Sequence, residues 1–295
     1  MVTMTSSASR LRADGAGVLH AGRWLWLRTV AWMALLFALT SAAFVASLLL
    51  TSWLPALEGQ GRAIALLLPA AMVIGYAVLV RVGERRPANE LRLARAPIEL
   101  AVGAAVGFAF ISGALLMLCA LGVYEVRVGT WRDALHSFVF NAYVSAVLEE
   151  LAFRGILLRL LARMFGELPA LILSSVLFGL AHASHASPIA MAELMVNGGG
   201  IFGLLYLASG RLWLSIGAHL AYDFTEWSLM GIGNSDGLLA STPVANTPAW
   251  LSGGSFGPDG SVLAVVVGAL LIWIIAATHS RLLGSAARDL QKRTS

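Results

Sequence analysis

The stretch "SAVLEELAFRGILL", residues 145–158, sets Glu149, Glu150 and Arg154 inside an otherwise apolar run. What those charges mean depends on the medium around them, and composition decides the medium. Of 295 residues, 58% are hydrophobic and 12% charged, with a mean hydropathy of +0.80, whereas a soluble domain is about a quarter charged. This is the composition of an integral membrane protein. Apolar spans follow one another so closely that no water-soluble module has room to fold. A single membrane domain is therefore expected over 29–280, between an N-terminal tail, 1–28, and a basic tail, 281–295.

Uncharged or nearly uncharged runs occur at 29–51, 63–80, 100–124 and 262–278, close to the roughly 20 residues that a bilayer-crossing helix needs. Between them lie four less clean segments, 134–161, 168–183, 188–209 and 212–229, and each carries His, Glu, Asp or Arg. The expectation is an all-α, polytopic membrane helix bundle of about eight transmembrane helices. If the helices alternate sides, all the basic residues but Arg62, Arg127, Arg132 and the intramembrane Arg154 fall on one side. That bias predicts both termini in the cytoplasm of a multi-pass protein of the cell membrane. The first polar residues are followed by an apolar run too long for a signal-peptide core, which reads as a retained helix.

The net charge of +4 reflects basic residues in short loops and tails. It serves orientation in the bilayer and excludes a nucleic-acid-binding face, which needs clustered, water-exposed basic residues. Cys119 is the only cysteine, so no intramolecular disulfide can form. The connection 231–261, rich in Gly, Ser, Pro and Asn, reads as an irregular loop on the non-cytoplasmic side. Gly103, Gly107 and the cluster Gly198, Gly199, Gly200, Gly203 have the small-residue spacing that lets helices approach closely. The loop 81–95 is basic enough to lie at an anionic lipid surface.

A charge at a helix centre costs on the order of 2.5–3.5 kcal/mol on insertion scales, so Glu149, Glu150 and Arg154 need compensation. Residues four apart share a helix face while neighbours diverge by about 100°. Glu150 and Arg154 can therefore pair, and Glu149 points elsewhere. A carboxyl in a poorly solvated pocket suits general-base work; a structural ion pair with a snorkelling Glu149 is the other reading of the same residues. In "FGLAHASH", Phe178 and His182 share a face, with His185 near the helix end. In "IGAHLAYDF", His219 and Asp223 share one. Each of these histidines alone also fits simple packing or a local hydrogen bond. Together, on three polar helices, they are costly unless the helices converge on one polar centre, which would hold a carboxylate base with imidazoles able to position water or stabilise an oxyanion. One geometric obstacle is depth, since His182 and His219 lie some 9 Å apart along the bilayer normal if both helices start level.

At these residues the chain resembles the CAAX prenyl endopeptidase and bacteriocin-processing family of intramembrane proteases. The family signatures EExxxR, FxxxH and HxxxN/D are matched by Glu149 to Arg154, Phe178 to His182 and His219 to Asp223, so the catalytic core is expected over about 135–224. The resemblance implies a peptidase in which Glu149 activates water, His182 helps to hold it, and His219 with Asp223 stabilises the oxyanion, while Glu150 and Arg154 orient the site. Where the family often has Asn, this chain has Asp223, which lacks the amide donor. Phe178, Glu193 and Asn197 are expected to line the substrate cavity, with Glu226 in a neighbouring helix. No zinc helix motif HExxH is present. Glu149, His182 and His219 could still supply three ligands to a divalent metal such as zinc, but metal-free water activation is favoured. The expected partners are a peptide or membrane-protein substrate, a prenylated CAAX tail among the options, and the lipid bilayer. The competing functions are a proton-coupled transporter using the same ionisable residues as a relay, and a non-proteolytic immunity or scaffold protein of the same fold.

Overall fold

The structure, a computed structural model, describes residues 15–53, 58–131, 138–184, 186–232, 237–275 and 277. Residues 1–14, the basic tail 281–295 and His185 lie outside the described residues. The chain runs through α1 (Leu25–Trp53), α2 (Glu58–Gly83) and α3 (Ala96–Ala120) before entering the polar helices. These are α4 (138–165), α5 (Glu167–Ala181), α6 (Pro188–Ser209) and α7 (212–229), and α8 (Val262–Ile275) follows. Among the described residues, three helices are long and apolar enough to cross a membrane: Leu25–Ser47, Asn89–Ala120 and Pro188–Ser209. The outer faces carry exposed large apolar side chains such as Leu35, Val45, Ile98 and Leu116, while Glu150, Arg154, Arg159 and Glu193 are buried. That inverts the pattern of a water-soluble protein and is what a hydrocarbon solvent requires.

The polar helices are not plain α-helices. α4 begins with a π stretch, Phe138–Val144, and carries a second, Leu151–Leu158; α6 contains Met195–Ile201, and α7 ends in Thr225–Leu229. π segments are rare and recur at functional sites, because they re-aim side chains and loosen the backbone ladder. In α4 the loosened Gly155 carbonyl accepts from Arg159 Nε at 2.7 Å and lies 2.8 Å from the Tyr76 hydroxyl. Gly166, at φ +87°, turns the chain from α4 into α5, a conformation that glycine adopts without strain. Ser187 caps α6 by accepting from the Ala190 amide at 3.2 Å, satisfying one of the free N–H groups at that helix end.

α3 and α7 pack backbone to backbone. A Cβ at Gly103 would strike the Leu214 carbonyl, one at Gly107 the Ala218 carbonyl, and one at Gly217 the Leu100 carbonyl. Small residues at this seam set the depth and rotation of the helix that carries His219. Gly198 and Gly199 do the same against Phe178 and Ser175 of α5.

Two features differ from the sequence expectation. The segment 231–261 is not irregular: among its described residues it forms β2 (Leu239–Pro243), a helical turn Ala249–Ser252 and 3-10 turns Gly254–Phe256 and Pro258–Gly260. β2 pairs antiparallel with β1 (Tyr124–Val128) in the register Tyr124↔Pro243 to Val128↔Leu239, and the Tyr124 hydroxyl donates to the Ser252 carbonyl at 2.8 Å. The β-branched, alternating "YEVRV" is the local cause. Part of the N-terminal tail is also docked. Leu19 is fully buried in the core, and its carbonyl accepts from Arg163 Nη2 at 2.8 Å.

A polar network fixes the motif helix from the arginine-rich side. Arg159 donates from Nη1 to Glu84 Oε2 at 2.8 Å, and Arg86 from Nε to the same carboxylate at 2.7 Å and from Nη1 to Glu90 Oε2 at 2.8 Å. Trp32 Nε1 donates to Glu84 Oε1 at 2.9 Å, which ties in α1. Buried charges satisfied from several sides make a rigid joint.

Candidate active site

α4 delivers Glu149 and Glu150 to different surroundings, as neighbours on a helix must be. Glu150 is fully buried, and its Oε1 accepts from Arg154 Nη1 at 2.8 Å, one turn on, and from His219 Nδ1 at 2.9 Å, across the bundle. Arg154 is held between aromatic rings, its guanidinium carbon 4.9 Å from the Phe178 centroid and 5.6 Å from that of Phe202. This cation–π sandwich gives a desolvated guanidinium partners that a hydrocarbon interior lacks. Arg154 and Glu150 therefore sit behind the site.

Glu149 turns the other way, into a cavity of about 380 Å³ lined also by Phe178, His182, Asn197, His219 and Asp223. Its Oε1 accepts from Ser145 Oγ at 2.9 Å, and its Oε2 lies 4.0 Å from His182 Nε2. His182 is the C-cap of α5, where its ring packs on Phe178, 5.0 Å between centroids, and its Nδ1 lies 2.9 Å from the Phe178 carbonyl. That contact makes Nδ1 the donor and turns Nε2 toward Glu149. His219 is stacked on Phe202 at 5.0 Å, with Nδ1 on Glu150 and Nε2 3.4 Å from Asp223 Oδ2. The depth disparity expected between the two histidines does not separate them; both line this cavity.

The cavity's other end is acidic. Glu193, Glu226 and Asp259 are all buried and line it together with Tyr222. Glu193 Oε1 accepts from Asn197 Nδ2 and from the Tyr222 hydroxyl, the latter at 3.2 Å. Asp259 is the residue that sequence reasoning missed. "GGSFGPDGS" reads as a surface turn, and nothing periodic marks it, yet Gly253 and Gly257, both at positive φ, fold it inward so that Asp259 is 4% exposed. Its only sequence signal is negative: it is an acid in a chain that has few.

A zinc set of Glu149, His182 and His219 does not match this arrangement. Both ring nitrogens of His219 face carboxylate oxygens, those of Glu150 and Asp223, and among the described residues no group of three or more His, Cys, Asp or Glu is disposed to hold a metal ion.

No curated protein and no solved structure matches the chain. The family model described as "Type II CAAX prenyl endopeptidase Rce1-like" does match, over residues 131–225. Those residues contain all three motifs and the helices that converge on Glu149, and the match implies intramembrane peptidase function and peptide or protein substrates. Over residues 131–225, which hold the three motifs, this chain is therefore similar to the Rce1-like type II CAAX prenyl endopeptidase family.

Proposed function

We propose that the protein is an intramembrane endopeptidase that hydrolyses a peptide bond with a water activated by Glu149. The observation that carries this reading is the 4.0 Å gap between Glu149 Oε2 and His182 Nε2 on the cavity wall. It is too long for a direct hydrogen bond and is the span that one water bridges with two. His182 orients that water, and Glu149 takes its proton as the oxygen adds to the scissile carbonyl carbon. The carbonyl oxygen becomes an oxyanion, and His219, in its imidazolium form, donates to it from Nε2. Glu150 braces the ring through Nδ1, and Asp223 steers it from the far side. Collapse of the tetrahedral intermediate breaks the C–N bond while Glu149 returns its proton to the departing nitrogen, so the base ends as it began.

The same reading takes α1 to α8 as eight spans with both termini in the cytoplasm, following the arginine distribution. The substrate is a peptide or a membrane-associated segment, a prenylated CAAX-type tail among its forms. The test is a proteomic comparison of membranes containing wild-type or Glu149→Ala protein at equal abundance. The expected result is a set of cut ends that vanish in the variant; the same cut ends at the same levels would overturn the proposal.

A further inference from the structure

On the arginine-rich side of the bundle, about 12 Å along α7 from His219, lies a second cavity of about 360 Å³. It is lined by Arg92, Ala94, Arg95 and Arg211. Glu99 offsets one of these charges: Arg211 Nε lies 2.7 Å and 2.9 Å from its two carboxylate oxygens. Arg92 and Arg95 are exposed, and among the described residues neither has a carboxylate partner. The cavity thus keeps an excess of two positive charges on a fixed frame, because Trp213 Nε1 of α7 donates to the Arg92 carbonyl at 3.1 Å. Arg95 and Arg211 are also the N-cap residues of α3 and α7, and neither helix start has a side-chain cap. Their free N–H groups and dipoles add to the field of the arginines.

The surroundings select among anions. Leu93, Ile98 and Val102 leave 68%, 69% and 51% of their surface exposed beside the cavity and down α3. A free phosphate would gain nothing from that apolar strip, whereas a lipid would place its chains on it. We infer that this cavity binds the phosphate group of an anionic phospholipid, with Arg92 and Arg95 as charge partners and the acyl chains lying along the exposed face of α3. Basic residues near a membrane surface each strengthen anionic-lipid binding by roughly fivefold, so losing both should weaken it roughly 30-fold.

The test is native mass spectrometry of the purified full chain released from micelles containing phosphatidylglycerol and phosphatidylcholine in equal amounts. Wild type should retain phosphatidylglycerol preferentially, and inorganic phosphate at the same concentration should not displace it. Arg92→Gln/Arg95→Gln should lose the preference, while Arg127→Gln, at an exposed arginine on β1 paired with Glu125 at 3.2 Å, should keep it. Equal retention of both lipids by wild type, an unchanged preference in the double variant, an equal loss in Arg127→Gln, or displacement by inorganic phosphate would each overturn the assignment.

Discussion

Glu150 and Arg154 lie one helical turn apart, 0% and 1% exposed, joined by a hydrogen bond of 2.8 Å. Removing one member of a buried ion pair strands the other charge and costs about 3–5 kcal/mol, whereas replacing both with neutral side chains of similar volume is often close to neutral. Glu150→Gln keeps an acceptor for His219 Nδ1 and should fall at the lower end of that range. Arg154→Met keeps the volume but loses the guanidinium's contact with Phe178 and Phe202, and should fall at the upper end. The double variant should lose no more than about 2 kcal/mol, so that the two single losses, about 8 kcal/mol together, fail to add by about 6 kcal/mol. At about 2 °C per kcal/mol for a chain of this length, each single variant should unfold roughly 6–10 °C below wild type in detergent micelles, and the double variant within about 4 °C of it. If the two losses simply add in the double variant, the carboxylate and guanidinium do not compensate each other, and the reading of the EExxxR turn as a braced pair behind the cavity is wrong.

Gly107→Val should separate α3 from α7, because its Cβ would meet the Ala218 carbonyl; a loss of at least 1–3 kcal/mol in melting experiments, with loss of cleavage, is expected although Gly107 does not line the cavity. Asp223→Asn should keep cleavage within about tenfold of wild type, since an amide preserves polar contact with His219, while Asp223→Leu should lose about a hundredfold or more, both read as turnover of a cleaved reporter. Burial alone would raise the Glu84 carboxyl, but the charge and hydrogen bonds of Arg159, followed by Arg86 and Trp32, outweigh it and hold its pKa below the usual glutamate value. A carboxylate depressed in the folded state adds stability that is complete above its unfolded pKa of about 4.3 and lost as the pH falls through the folded value. The Tm should therefore be level from pH 7 to about 5 and fall below that, and Glu84→Gln should start lower and fall less steeply; equal slopes would remove Glu84 from the acid-sensitive step.

The apolar spans and the pairing of Glu150 with Arg154 are readable in sequence because both depend on helical periodicity and on the cost of charge in hydrocarbon. The glycine contacts at Gly103, Gly107 and Gly198 are readable for a related reason: a missing Cβ is a local property with a direct packing consequence. The π stretches are not readable. A wider helical turn leaves no compositional trace, although two such stretches carry Asn197 and Glu226 on the cavity wall. The Arg159–Glu84 pair joins residues 75 positions apart, so neither residue announces its partner. Asp259 and the β1–β2 pairing were hidden for a further reason. Glycine-rich turns specify where the chain can bend, and tertiary contacts such as that between Tyr124 and Ser252 decide whether the bend goes to solvent or into the cavity.

The most direct measurement is an experimental density map of the wild-type protein in a lipid nanodisc, at a resolution that locates ordered water around Glu149. A solvent oxygen within about 3 Å of both Glu149 Oε2 and His182 Nε2 is the predicted result. Density that joins Glu149 directly to His182, or that turns Glu149 away from the cavity toward lipid, would contradict it.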